Sequence, residues 1–260
     1  MSISRIHVIP DADRIEETLE VCNEWNALFE YNDFFNPHLL DNKEELRKRI
    51  SLYQRLNRKP FEDTLHGAFY DTYVDSQDPL IEKIARERMT LSMEIANELE
   101  VRGVVFHGNA ISGFRLEGYI SNWVMKNAEF YHELLNRFPR TNIWVENTFD
   151  TTPEALLRLL KEMSGEERFG ICFDVAHANI QSIPMNKWIE AFGKHIKHIH
   201  INDNDGISDL HNSVGSGTVN WRDFFEQINR IDNDMSMLIE VKSIESQIES
   251  LNYLKVNKYI

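Results

Sequence analysis

Short runs of apolar and β-branched residues alternate along the chain with longer stretches in which apolar positions recur every three to four residues. The first kind of pattern fits buried strands and the second amphipathic helices. Strands are expected over 3–9, 28–31, 64–69, 103–107, 142–147, 169–174, 196–202 and 237–241. Helices are expected over 11–25, 42–56, 79–99, 117–138, 153–163, 185–192, 221–231 and 243–254, with Asp11 placed as the N-cap of the first. Strict alternation implies parallel strands joined by helical crossovers. About eight such units in 260 residues favour a closed (β/α)8 TIM barrel over an open, doubly wound sheet. No Gly-x-Gly-x-x-Gly follows a strand, which weighs against a dinucleotide-binding fold. No Pro-, Gly- or Ser-rich linker interrupts the pattern, so residues 1–260 are read as one domain.

Composition narrows this picture. The formal charge of −14 argues against a protein that coats nucleic acid through a broad basic face. The densest basic stretch, Arg47, Lys48, Arg49, Arg55, Arg58 and Lys59, reads as the solvated face of a helix. Neither a signal peptide nor an apolar run long enough to span a membrane is visible. Cys22 and Cys172 do not make a disulfide framework and read as buried small residues, which points to a reducing cytoplasm.

The polar residues in the strands carry more information. A barrel strand should be apolar along its length, yet the third carries His66, the fourth His107, the fifth Glu146, the sixth Asp174, the seventh His200 and the eighth Glu240. In a barrel the C-terminal strand ends converge on one mouth, where active sites lie. One buried histidine is usually a satisfied core residue. Six such positions in succession need charge compensation, which a divalent cation supplies to several at once. Mixed imidazole and carboxylate donors suit Zn, Mn or Fe(II), and with Cys172 the one cysteine near them a cysteine-rich structural zinc site is disfavoured.

Two loops add donors. Asp174 and His177 form Asp-x-x-His after the sixth strand, and Asp209 and His211 form Asp-x-His after the seventh. His198 shares a strand face with His200 and is expected deeper, either packed or supporting a ligand; His7 is read similarly. His38, His132 and His195 are read as surface or loop residues. Phe34, Phe69, Tyr70 and Phe149 near the mouth offer a wall for a sugar face, with ordinary loop packing as the alternative. Arg115 and Lys242 are placed, by position alone, where a substrate phosphate could be met.

The segments LHGAFYD (65–71), VVFHGN (104–109), WVENTFD (144–150), GICFDVAHAN (170–179), HIHINDNDG (198–206), HNSVGSGTVNW (211–221) and LIEVK (238–242) together resemble the xylose-isomerase-like barrel superfamily. That superfamily contains sugar and sugar phosphate isomerases and epimerases, and endonuclease IV. In the isomerase and epimerase branch, the resemblance implies one metal held by Glu146, Asp174, His200 and Glu240. In the endonuclease IV branch it implies a trinuclear zinc site that adds His66, His107, His177, Asp209 and His211. All nine positions carry the expected residue type. HGAFYD is closer to the isomerase-like members. Gly215-Ser216-Gly217 lacks an acidic residue frequent in that loop, and VVFHGN lacks the usual proline.

The resemblance implies an isomerase or epimerase acting on a small sugar or sugar phosphate through an enediolate. Glu146 and Glu240 would be the proton-transferring pair, and His66, His107, Phe69, Arg115 and Lys242 would contact substrate. The alternative is a multinuclear phosphoesterase of the endonuclease IV type, acting on abasic-site DNA or a small phosphoester. One ion per chain belongs to the first reading and two or three to the second. Nucleic acid is disfavoured by charge, no membrane is expected as a partner, and a homo-oligomer is compatible with either reading. A full donor set speaks against a non-catalytic scaffold.

Overall fold

The structure is a computed structural model that describes residues 3–111 and 116–260. Its strands are β1 (Ile3–Val8), β2 (Leu28–Tyr31), β3 (Thr64–His66), β4 (Gly103–His107), β5 (Asn142–Glu146), β6 (Phe169–Asp174), β7 (Ile196–Ile201) and β8 (Met235–Ile239). They close in chain order, β1 to β8, into a barrel. Ten α-helices are described: α1 (Ile15–Trp25), α2 (Pro37–Asp41), α3 (Lys43–Gln54), α4 (Pro79–Glu98), α5 (Glu117–Arg137), α6 (Glu154–Glu162), α7 (Val175–Asn179), α8 (Met185–Phe192), α9 (Trp221–Ile228) and α10 (Ile244–Val256). The (β/α)8 barrel read from the periodicity is the fold observed.

By internal contacts the chain divides into two units. The first comprises 1–30, 150–153 and 171–260, and so holds β1, most of β2 and β6, and β7 and β8. Within it β6, β7 and β8 pair in parallel register, Asp174 opposite His200 and His198 opposite Ser236, and β8 pairs with β1. Phe173 points away from these strands toward Phe192 of α8 and Phe224 of α9, at centroid distances of 6.0 and 6.5 Å. Side chains alternate along a strand, so the neighbours of Phe173, Cys172 and Asp174, face the other way.

The second unit comprises 31–149 and 154–170 and holds β3, β4 and β5. Here His66 lies opposite Val105, and His107 opposite Glu146. Phe106 turns outward to Tyr131 of α5 (6.3 Å), so Val105 and His107 turn inward. The helices of this unit are well specified. Asp78 caps α4 through Leu80 N (2.8 Å), with Pro79 in the first turn, where its missing N–H costs nothing.

The structure departs from the sequence expectation at several places. Helix α1 starts at Ile15, because Asp11 instead accepts from the backbone of Asp13 and Arg14 and closes a turn ahead of it. Helices α2 and α7 have five residues each, too short to give a periodic signal. Strand β3 stops at His66, and 67–69 leave the sheet. Strand β8 ends at Ile239, although Glu240 N still donates to Ile201 O (2.9 Å) and extends the ladder by one bond.

Candidate metal centre

In the second unit, three adjacent strands deliver His66, His107 and Glu146. His66 Nε2 lies 3.5 Å and His107 Nε2 3.6 Å from Glu146 Oε2. These separations are longer than good hydrogen bonds. They match the roughly 3.3 Å between donors that surround one cation at bond lengths of about 2.0–2.2 Å. His66 Nδ1 stands 3.0 Å from Gly67 O. A carbonyl only accepts, so Nδ1 carries the hydrogen and Nε2 presents its lone pair beside Glu146. One donor atom from each of the three residues lies within 4.8 Å of the others.

In the first unit, Asp174 and His200 are register partners at the ends of β6 and β7. His200 Nδ1 is 3.5 Å from Glu240 Oε2. Asp174 also caps α7, with His177 N donating to Oδ1 at 2.5 Å, and that cap places the His177 ring one turn on. His177 and His211 flank Asp209, whose Oδ2 lies 3.3 Å from one Nε2 and 3.2 Å from the other. This trio also has donor atoms within 4.8 Å of one another. His211 Nδ1 donates to Glu240 O (3.0 Å), which turns Nε2 toward Asp209.

The loop carrying Asp209 and His211 is held by Asp203, a fully buried carboxylate. Asp203 accepts from Gly215 N (2.9 Å), Val219 N (3.1 Å), Asn204 N (3.0 Å) and the Trp221 indole (2.7 Å). Its backbone pairs with Asn212 in both directions at 2.9 Å. The loop passes so close that a Cβ on Gly217 would lie 2.2 Å from Asn204 O. His211 itself takes a left-handed backbone (φ 49°), a sparsely populated conformation that the surrounding bonds enforce.

The electrostatics follow from these contacts. Burial works against ionisation of Asp209, but hydrogen bonds from His177 and His211 outweigh it and hold the carboxyl well below its usual range. Burial likewise opposes charge on His211, yet Asp209 and Glu240 raise its pKa to about 9. Glu30 is fully buried, which disfavours its charge, but His200 and His198 overcome the penalty and keep it ionised.

The other expected residues sort themselves by location. Phe69 stacks on His107 with centroids 4.4 Å apart, and it meets the His66 ring edge-on at 5.2 Å. Phe35, not anticipated, packs on Phe69 (4.7 Å) and Tyr70 (5.6 Å). Tyr70 and Phe149 are exposed, whereas Phe34 is fully buried against Tyr53 and cannot line a wall. Lys242 is exposed two residues beyond Glu240, and Arg115 lies outside the described residues. Most of the basic stretch makes ion pairs, including Arg58 with Asp63 (2.7 Å), Lys59 with Glu62 (2.7 Å) and Lys48 with Glu44 (2.9 Å). His38, His132 and His195 are exposed, as read. Sequence reasoning missed Glu30 and Asp203. A lone glutamate in the four-residue apolar strand LFEY was a usable signal for the first.

Among the described residues no helix is long and apolar enough to cross a membrane. The sequence pattern of a family described as a xylose isomerase-like TIM barrel matches residues 18–256. An uncharacterized protein of Methanocaldococcus jannaschii, MJ1311, is 27% identical over 241 residues, covering 89% of this chain and 78% of that protein. Among solved structures, a D-tagatose 3-epimerase-like protein aligns with a TM-score of 0.78 at 24% identity, covering 98% of this chain and 97% of its own. The TTHB071 protein from Thermus thermophilus, soaked with ZnCl2, aligns with a TM-score of 0.73 at 24% identity and the same coverage. D-allulose 3-epimerase from Methylomonas sp. aligns with a TM-score of 0.74 at 16% identity over 100% of both chains. At these identities the structural likeness establishes the fold. With the family pattern running through nearly all of the sequence, the chain belongs to the xylose isomerase-like TIM barrel family.

Proposed function

We propose that the chain is a divalent-metal-dependent isomerase or epimerase of a small sugar or sugar phosphate, with Glu146, Asp174, His200 and Glu240 holding the catalytic cation. The observation that carries this reading is the row of buried donors at consecutive strand ends, Asp174 opposite His200 and His200 Nδ1 3.5 Å from Glu240 Oε2. The likeness of the segment WVENTFD to the isomerase and epimerase branch supports counting Glu146 with the other three. The donor set of one imidazole and three carboxylates fits Zn, Mn or Fe(II). When bound, such a cation supplies Lewis-acid polarisation of a carbonyl and its neighbouring hydroxyl.

The protein's own residues account for the rest. Glu146 ends β5 and Glu240 directly follows β8, and the two would remove and return the proton on the carbon beside the carbonyl. His66 and His107 would hydrogen-bond sugar hydroxyls, and Phe69 would offer an apolar surface to the C–H face. Lys242, and by position Arg115, would meet a phosphate if the substrate carries one. The named similarities to D-tagatose and D-allulose 3-epimerases favour a ketose. The test is solvent-deuterium incorporation beside the carbonyl, across a panel of ketoses, with metal-loaded protein. No exchange with any ketose would defeat the reading.

A second reading, phosphoester hydrolysis of the endonuclease IV type, is favoured by a separate observation. The trios His66, His107, Glu146 and His177, Asp209, His211 each have donor atoms within 4.8 Å, so further ions have places to bind. Metal content separates the readings: about one ion per chain for the first, two or three for the second. The charge of −14 directs the second reading to a small phosphoester rather than DNA.

A further inference from the structure

Glu30 is a fully buried carboxylate with a histidine on each oxygen. Its Oε1 stands 3.0 Å from His200 Nε2, and its Oε2 stands 3.0 Å from His198 Nε2. Each carboxylate oxygen faces one Nε2 at hydrogen-bond distance and accepts from it, so both Nε2 atoms carry hydrogen. For His198 this assignment agrees with its other contact, since Nδ1 lies 2.7 Å from Ser236 Oγ, where the hydroxyl can donate. For His200 it leaves Nδ1 with the lone pair, and Nδ1 is the atom that faces Glu240.

We infer that Glu30 is a positioning residue that locks His200 as its Nε2–H tautomer and so makes Nδ1 the metal donor, with His198 clamping the second carboxylate oxygen in place. The inference rests on the reading of His200 as a metal ligand. Its physical content is threefold. The tautomer is chosen before metal arrives, the ring cannot rotate about its bond to the strand, and the adjacent negative charge raises the basicity of the donor atom. His7 packs edge-on against His198, with centroids 5.5 Å apart, which stiffens the clamp from the side of β1. The strand-face neighbour of His200 is then a support for the carboxylate rather than a ligand in its own right.

The experiment compares wild type with Glu30→Gln and Glu30→Asp, using zinc alone as the probe. Zinc affinity is measured by competition with a chromophoric chelator, and thermal stability with and without zinc. A glutamine keeps the shape, but it carries no charge, and where its amide N–H faces His200 it moves that ring's hydrogen to Nδ1. The expected result is a 10- to 100-fold weaker zinc affinity for Glu30→Gln, with partial recovery in Glu30→Asp. A merely structural role would lower the melting temperature equally with and without zinc and leave affinity unchanged, and that outcome overturns the inference. If Glu30→Gln does not fold, the imidazole nitrogen spectrum of the wild type decides. Nε2–H in the metal-free chain with a zinc-induced shift at Nδ1 supports the inference, and zinc at Nε2 overturns it. No zinc uptake by wild type would overturn the metal-site reading and this inference with it. Zinc uptake that ignores Glu30 would overturn the inference alone.

Discussion

Phe69 lies flat on the imidazole of His107, with ring centroids 4.4 Å apart and planes 14° from parallel. The stack limits the rotation of a half-buried ring on the last residue of its strand. Contacts of this kind are worth about 0.5–1.5 kcal/mol. In the multinuclear reading, Phe69→Ala is therefore expected to weaken metal loading at His66, His107 and Glu146 by about 2- to 10-fold. Equilibrium dialysis read against the Glu146→Gln variant would check it. Unchanged loading would mean that the ring is held by its strand alone.

Asp203 is expected to be the most sensitive residue of the loop that carries Asp209 and His211. Asp203→Ala leaves four N–H donors without their acceptor in a buried place. The cost should reach about 3 kcal/mol or more, a fall in melting temperature on the order of 6–12 °C. The variant should loosen Asp209 and His211, and in the multinuclear reading the ion they would hold with His177 should go first. Calorimetry together with metal counting would show whether stability and loading fall together.

Two glycines make a controlled pair. A Cβ at Gly217 would sit 2.2 Å from Asn204 O and 2.4 Å from Asp203 Oδ1, whereas a Cβ at Gly118 meets nothing within 4 Å. Gly217→Ala should destabilise by about 1–3 kcal/mol through overpacking. Gly118→Ala, in the first turn of α5, should be neutral or stabilising by up to about 1 kcal/mol. Denaturant melts of both variants would show opposite signs.

In the metal-free protein, His211 should titrate near pH 9 rather than 6.5, because Asp209 and Glu240 favour its charged form over the burial that opposes it. A raised folded-state pKa means that its contribution to stability is complete below about 6.5 and is lost as pH rises through about 9. A histidine-resolved NMR titration of the metal-free chain would measure the midpoint. A value at or below 6.5 would contradict the pairing with Asp209.

Removing metal should lower stability, because a ligand bound only by the folded state adds about 2.7 kcal/mol at a hundred times its dissociation constant. Glu146→Gln should lower both this increment and turnover, the latter by about 10²- to 10⁴-fold if Glu146 moves a proton. Melting curves with excess zinc or chelator would test the first claim and single-turnover rates the second. A variant that binds zinc normally yet is inactive would assign Glu146 to proton transfer alone.

The barrel was legible because eight apolar runs alternate with helical spacing, and each step of that pattern reports burial. The donors were legible because an imidazole or carboxylate at the end of an apolar strand is costly without a partner, so His66, Asp174 and His200 stood out. Glu30 was passed over although a lone acidic residue in the apolar strand LFEY was a usable signal, and its role shows only once His198 and His200 are seen on its two oxygens. Asp203 was hidden for a different reason. It sits among Asn202, Asn204 and Asp205, and composition cannot tell that the first three of these four adjacent polar residues are buried while Asp205 is exposed. Helices α2 and α7 fell below the length at which periodicity can be read.

The grip of Asp203 on its loop has a consequence for how the site can change. That grip acts mainly through main-chain N–H groups, which every residue but proline possesses. The exposed side chains of Ile207, Ser208 and Leu210 along the same stretch contribute little to holding it. Mutational libraries confined to those three positions should therefore return mostly folded, metal-competent proteins. Substrate preference could be retuned at the rim while the ligand geometry beneath is inherited unchanged.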